Sequence, residues 1–231
     1  MYTLHELLAN PGNYGSSRAA NQIAYIVFHY TANDGDRAAN NAKYFRNNVV
    51  KASAHYFVDD TAVWRSVPDL RVAWSVGGGK YANADKTGGG KMYGRITNSN
   101  SISIELCDTV RNGKYQASEA TMRNAAALCR ELMAKYNIPV DRVYRHFDVT
   151  GKHCPSYMVS NKAWAAFKAR LREENPMDNT PAHYAKEAVQ WATKNGIMTG
   201  NQLGDLMLNE PITRQQFVTM LHRYHQKFGG D

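Results

Sequence analysis

Cysteine is scarce in this chain: Cys107, Cys129 and Cys154 are the three among 231 residues. So small and odd a number argues against a disulfide framework, and for a reduced compartment or a metal-ligating role for one of them. No apolar run approaches the roughly 18 residues that a membrane span requires, which excludes an integral helical membrane protein. Residues 1–14 carry His5, Glu6, Asn10 and Pro11 and form no basic head followed by an apolar stretch, so no secretory signal is expected. Also missing are a basic helix, a Cys/His finger spacing and an aromatic RNA-binding signature. The composition, 43% hydrophobic and 21% charged, excludes a disordered or fibrous chain. Its length predicts one core of roughly 150 to 180 residues plus a smaller unit.

Charge is distributed unevenly. Lys and Arg outnumber Asp and Glu by 28 to 20, a net +8. Residues 1–175 hold 23 of the basic and 15 of the acidic residues, whereas residues 176–231 hold five of each. The basic excess therefore belongs to the larger part, which is attracted to any polyanion: nucleic acid, anionic lipid or the anionic polymers of a bacterial wall. Charge does not choose among them.

Periodicity supplies the architecture. The run from Gln22 to Tyr30 is apolar, β-branched and aromatic and reads as a buried strand ending at His29. A helix is expected over Asp36 to Val50, then two strands, Ala54 to Val58 and Ala62 to Ser66, around the turn Asp59-Asp60-Thr61. Residues 76–98 contain two triple-glycine runs and read as a long surface loop or flap. Asn100 to Leu106 alternates, with Ile102, Ile104 and Leu106 on one face and Ser101, Ser103 and Glu105 on the other. A helix capped by Ser118 runs to Tyr136, a last strand covers Val140 to His146, and a helix closes the domain at Ser160 to Arg172. Strands interleaved with helices make an α/β domain with a central mixed sheet. The expected divisions are a domain over 1–174, a linker over 175–181 that carries Pro176 and Pro181, and a small helical module over 182–231. Two helices, about Ala182 to Asn195 and Thr213 to Lys227, make up that module, the second with a Thr213/Gln216 capping box. So small a unit buries little surface alone and normally stacks, assembles or docks.

The densest chemistry lies between Tyr144 and Pro155, where His146, Asp148, Lys152, His153 and Cys154 crowd into one stretch. A strand-end His and a loop Cys eight residues on can converge on one zinc ion, which accepts both nitrogen and thiolate sulfur. They can equally be a surface His and a small buried Cys that never meet. His29, at the end of the first buried strand, is a third candidate ligand or a hydrogen-bonded boundary residue. Two His and one Cys would leave a fourth position open for water, the catalytic arrangement of zinc.

Four blocks then carry a resemblance: His29-Tyr30-Thr31-Ala32, Ser53 to Asp59, Asn100 to Glu105, and His146 to Pro155. In this order and spacing they resemble the zinc-dependent N-acetylmuramoyl-L-alanine amidases, the type 2 amidases related to peptidoglycan recognition proteins and phage endolysins, over about residues 18–172. The resemblance implies a substrate groove crossing the sheet, one zinc per chain held by His29, His146 and Cys154, and an oxyanion-stabilising Lys152. Many relatives carry a catalytic Tyr where this chain has Ala54; the endolysin subgroup uses a strand Glu instead, and Glu105 fits that pattern. Thr31, His55 and Trp74 are further candidates for contacting substrate, with His55 equally readable as a satisfied interior residue and Trp74 as packing. Asp148 reads as a supporting carboxylate and Cys129 as core.

The tail, Trp191 to Gly200 with Ile212 to Phe217 and Leu221-His222-Arg223, is similar to one S-layer homology repeat. That similarity implies a wall-polymer contact at Arg214, and a lone copy implies homo-oligomerisation or docking. The expectation is thus a peptidoglycan hydrolase that cuts between N-acetylmuramic acid and L-alanine. It would be an endolysin that waits in the host cytoplasm and acts at the wall, with no nucleic-acid or membrane partner. A non-catalytic peptidoglycan binder on the same fold is the alternative, and a DNA binder with steep salt dependence and no zinc is the third reading.

Overall fold

The computed structural model describes residues 2–172, 181–200, 206–208 and 212–229. Two compact units make up the chain, Met1–Glu173 and Glu174–Asp231. The linker expected over 175–181 lies, except for Pro181, outside the described residues.

In chain order the first unit runs β1 (Thr3–Glu6), β2 (Tyr14–Ser17), β3 (Tyr25–Asp34), α1 (Ala38–Asn47), β4 (Tyr56–Val58), β5 (Ala62–Arg65), β6 (Arg71–Ala73) and α2 (Ala84–Thr87). It continues with β7 (Ser101–Arg111), β8 (Lys114–Gln116), α3 (Glu119–Tyr136), β9 (Val143–Arg145), α4 (His146–Thr150) and α5 (Asn161–Arg172). The main sheet has the order β1-β5-β4-β7-β3-β9, with β8 folded back on β7. Strands β4, β7, β3 and β9 are mutually parallel, and the β4–β5 hairpin supplies the antiparallel pair that makes the sheet mixed. Both the α/β class and the mixed sheet expected from the sequence are present.

Alternation on the central strands sorts side chains to two layers. Ile26, Phe28, Ile102, Ile104 and Leu106 are fully buried beneath α3 and α5, where they meet Ala125, Leu128, Cys129, Leu132, Trp164 and Phe167. The helix stripe predicted from 118 to 136 is that face of α3, and Ser118 caps it by accepting the Thr121 N–H. On the opposite face Phe57 and Cys107 pack under Ala38 and Ala42 of α1. The odd-numbered residues of β3 and β7, His29 and Glu105 among them, belong to this second face.

Asp69 is a polar anchor below the sheet. Only 4% exposed, it accepts hydrogen bonds from Tyr56 Oη (2.5 Å), Tyr136 Oη (2.6 Å) and Lys135 Nζ (2.8 Å). Burial alone would raise its carboxyl, but the bonds from Lys135, Tyr136 and Tyr56 together outweigh burial and hold it below its ordinary value. Lys135 is largely exposed, so its ion pair contributes little; the buried Tyr56 hydroxyl decides the energetics. Asp69→Ala is expected to cost about 2–3 kcal/mol, because it strands that hydroxyl without an acceptor. The stabilisation is complete above the unfolded-state value of about 4 and is lost as pH falls through the lower folded-state value. Thermal melts of the two proteins should therefore differ most at pH 7 and draw closer as pH falls below about 4; a constant gap down to pH 2 would contradict this.

The second unit contains α6 (Lys186–Lys194) and α7 (Arg214–Phe228). Trp191 stacks on Phe228 at 5.6 Å, Tyr224 leans on both, and Ile197 is buried. The Thr213/Gln216 capping box predicted from sequence is formed. Phe217, Val218 and Leu221 of α7 are more than half exposed. Among the described residues no helix is long and apolar enough to cross a membrane.

Candidate metal centre

Register brings the candidate site together. Strand β3 lies between β7 and β9, all parallel, with His29 directly opposite Glu105 and Phe28 directly opposite Arg145. The residue after Arg145 is His146, which therefore arrives level with His29, past the C-terminal end of β9 and midway along β3. The two imidazole rings stand edge to face with centroids 4.7 Å apart. Cys154 returns from the loop after α4, its carbonyl accepting the Phe147 N–H at 2.9 Å. His29, His146 and Cys154 thus place one donor atom each within 4.8 Å of one another, all three residues buried.

Two observations fit this trio to a metal ion. First, His146 Nδ1 is buried without a hydrogen-bond partner, and an orphaned polar atom in a folded interior calls for an explanation such as an ion. Second, His29 Nδ1 stands 4.0 Å from Cys154 Sγ, against about 3.6 Å for a nitrogen and a thiolate sharing a tetrahedral zinc. The protonation states suit it too. Burial, reinforced by His146 and Lys152, holds His29 well below its ordinary value, and burial with Lys152 lowers His146 to about 4, so both rings are neutral ligands at pH 7. Burial and Glu105 push the Cys154 thiol up to about 12; a cation is what would make it a thiolate here.

Glu105 faces the trio with Oε1 4.0 Å from His29 Nδ1, while Oε2 is buried and unpartnered. Burial pushes its carboxyl up to about 8, opposed by Lys152 and aided by Asp108 and Asp36. Lys152 itself is exposed, yet its charge acts on His29, His146, Glu105 and Cys154 alike. Four of the five residues singled out for metal binding and catalysis, His29, His146, Cys154 and Glu105, are brought together, and Lys152 lies two residues before Cys154 in the chain.

The remaining candidates are not members of the trio. His55 is 1% exposed: Ser103 N–H donates to its Nδ1 at 3.0 Å, so Nε2 carries the proton toward the Arg71 carbonyl at 3.1 Å, with the Arg18 guanidinium alongside. Both ring nitrogens are engaged inside the protein, and burial with Arg18 lowers the ring to about 3. These contacts fit the reading of His55 as a satisfied interior residue. Thr31 follows on β3, half-exposed, its hydroxyl donating to the Leu106 carbonyl at 3.3 Å. Trp74 is half-buried beyond β6, its backbone N–H donating to Ser53 Oγ. Arg214 is exposed at the start of α7 in the other unit. Cys107 and Cys129 are free and buried in the two apolar layers.

Sequence reasoning missed what holds His146. The expected loop after it is a short helix, α4, clamped at its first turn by Arg145. That buried guanidinium donates to both Asp148 oxygens (2.9 and 2.6 Å) and to the Met158 and Val159 carbonyls. The Arg-x-x-Asp spacing was the available signal. Asp148 supports the site, as expected, by holding Arg145 and not by touching the trio. The glycine-rich run, expected as a surface loop or flap, is docked against the same helix. Tyr81, Gly90 and Met92 donate backbone N–H bonds to the carbonyls of Thr150, Phe147 and Asp148. A Cβ on Gly89 would lie 2.9 Å from both Gly151 Cα and the Phe147 carbonyl oxygen, so glycine here permits close backbone approach.

Comparison with known proteins places these features in a family. Residues 19–157 match the N-acetylmuramoyl-L-alanine amidase family, and residues 177–218 match the S-layer homology domain. The chain is 29% identical over 205 residues to the N-acetylmuramoyl-L-alanine amidase CwlA of Bacillus subtilis (strain 168), covering 86% of this chain and 69% of that one. It is 35% identical over 151 residues to XlyB of the same organism, covering 65% of this chain and 42% of that protein. Among solved structures, PlyL superposes with a TM-score of 0.58 at 28% identity, covering 76% of this chain and 99% of PlyL. The catalytic domain of XlyA gives 0.56 at 28% identity, covering 73% and 99%.

Proposed function

The chain belongs to the N-acetylmuramoyl-L-alanine amidase family, and from that premise we propose that it hydrolyses the amide between the lactyl group of N-acetylmuramic acid and the L-alanine of the stem peptide. The observation that carries this reading is the convergence of His29, His146 and Cys154, each buried, with His146 Nδ1 unpartnered and Glu105 4.0 Å from His29. A zinc ion bound there supplies a Lewis acid that acidifies water and polarises a carbonyl. Glu105 takes a proton from the attacking water as the carbon–oxygen bond forms. It then delivers that proton to the amide nitrogen as the carbon–nitrogen bond breaks, so the carboxylate is regenerated and no further reactant is consumed. Lys152 brings a fixed positive charge to the developing oxyanion. His29 and His146, neutral at pH 7, hold their place through β3 and through the Arg145 clamp on α4.

The net +8 charge and the S-layer homology match support action at an anionic bacterial wall, in the manner of an endolysin released from the host cytoplasm. The tail, with equal numbers of acidic and basic residues, would reach a secondary wall polymer through Arg214, or another copy through the exposed face of α7, by something more specific than net charge. Incubation with purified sacculi tests the reaction directly. New L-alanine amino termini without new reducing sugar ends, abolished by a chelator and restored by zinc, are expected. New reducing ends, or release insensitive to the chelator, would overturn the assignment.

A further inference from the structure

Four cations and two aromatic rings sit on the glycine-rich segment between Val76 and Ile96, and none of them is used by the chemistry above. Both ends of this segment are pinned: Val76 and Ile96 are buried with Val149 of α4 and Val27 of β3. Its middle is fastened to α4 by the three backbone bonds from Tyr81, Gly90 and Met92, and Gly89 is pressed against Phe147 and Gly151. A segment held this way cannot swing as a lid without breaking bonds to the helix that carries His146. It is a fixed wall beside the metal centre.

What that wall presents is specific. Tyr81 and Tyr93 are 49% and 47% exposed, so each ring leaves about half of its surface free for a ligand. Lys86, Lys91 and Arg95 are exposed and accompany them, and no ion pair is formed by these three among the described residues. Lys80, by contrast, is paired with Asp85 at 2.7 Å. Flat ring faces suit the apolar faces of sugars, and unpaired cations suit carboxylates. Rings and cations close in sequence to the bonds that fasten the segment to α4 suit an extended ligand that offers both sugar faces and negative charge.

We propose that segment 80–96 is a binding wall for the polymeric substrate, on which Tyr81 and Tyr93 stack sugar rings while Lys86, Lys91 and Arg95 hold acidic groups of the anionic glycopeptide. This rests on the amidase reading and extends it from the scissile bond to the strand that carries it. The wall contributes to KM for polymer and nothing to the bond-breaking step. Its rigidity matters, because a pre-formed surface binds without the entropy cost of ordering a loop.

The test uses the full zinc-loaded chain with two substrates: purified sacculi, and a soluble N-acetylmuramoyl-dipeptide too small to span the wall. Tyr81→Ala with Tyr93→Ala is expected to raise KM on sacculi about 10-fold, the loss of roughly 1.4 kcal/mol of contact, and to leave the soluble substrate unaffected. Lys86→Gln, Lys91→Gln and Arg95→Gln together are expected to raise KM on sacculi and flatten its salt dependence. The same number of charges removed at exposed Lys43, Arg142 and Lys162 should have a much smaller effect. All altered side chains are exposed, so the fold and zinc content should match the parent, as a melt and a metal assay will verify. Unchanged KM on sacculi, an equal change on both substrates, or an equal effect from the control charges would each overturn the proposal. If the parent chain releases no L-alanine amino termini from either substrate, it is the amidase reading that fails.

Discussion

Replacing Glu105 with glutamine is expected to lower turnover by about 10²- to 10⁴-fold, the usual contribution of a positioned general base, while zinc content and KM stay close to those of the parent. Glutamine keeps the size of the side chain and can occupy the same place 4.0 Å from His29, but it cannot accept a proton at neutral pH. The carboxyl is suited to both halves of the reaction because burial pushes it up to about 8 while Lys152 pulls it down. A cation held by the neighbouring trio would lower it further toward neutrality, where a group accepts and returns a proton with least penalty. The measurement is steady-state kinetics beside metal analysis on the same preparation. Turnover equal to that of the parent would remove Glu105 from the mechanism; loss of zinc together with activity would make it a ligand.

Lys152 and Glu105 were legible for different reasons than His29 and His146. The alternation at Ser101 to Leu106 assigned Glu105 to the polar face of its strand, and the structure keeps that assignment because a period of two survives any packing. His29 was legible only as the end of a buried run. Its partnership with His146, 117 positions later, depends on β3 and β9 being adjacent and in the register Phe28 to Arg145, which no local pattern specifies. His55 was ambiguous for the same reason: the groups that satisfy it, Ser103, Arg71 and Arg18, come from three separate segments.

Two short elements, β1 and α4, escaped the sequence reading, although β4, β5 and β9 are as short and were expected. Strand β1 is exposed at every position, so it carries no alternation, and α4 has five residues, too few to show a helical period. Glycine misled in a more instructive way. A run with triple glycines suggests a mobile flap, since glycine lowers the cost of every conformation. The same absence of a side chain also lets two backbones touch, and Gly89 against Gly151 shows the second use prevailing. Sequence alone does not separate the two, because the difference is whether another backbone arrives.

Substituting Cys154 with serine is expected to abolish activity and reduce bound zinc from one per chain to well below that, with the fold retained. Cys154 is 2% exposed and the change removes little volume, so the metal-free variant should melt within a few degrees of the metal-free parent. The two part company when zinc is added. A ligand that binds only the folded chain stabilises it by about 4 kcal/mol at a thousandfold excess over its Kd, and for a single domain of this size that raises the melting temperature by roughly 8–16 °C. The parent should show this rise and the variant should not, because a serine hydroxyl does not ionise as a thiolate does and is a poor zinc ligand. The two imidazoles left behind would be expected to hold zinc too weakly to survive dialysis. Calorimetry with and without zinc reads the difference without any need for substrate. A parent chain whose melt ignores zinc would leave the unpartnered Nδ1 of His146 without the partner assigned to it, and an active serine variant would move the thiolate out of the reaction altogether.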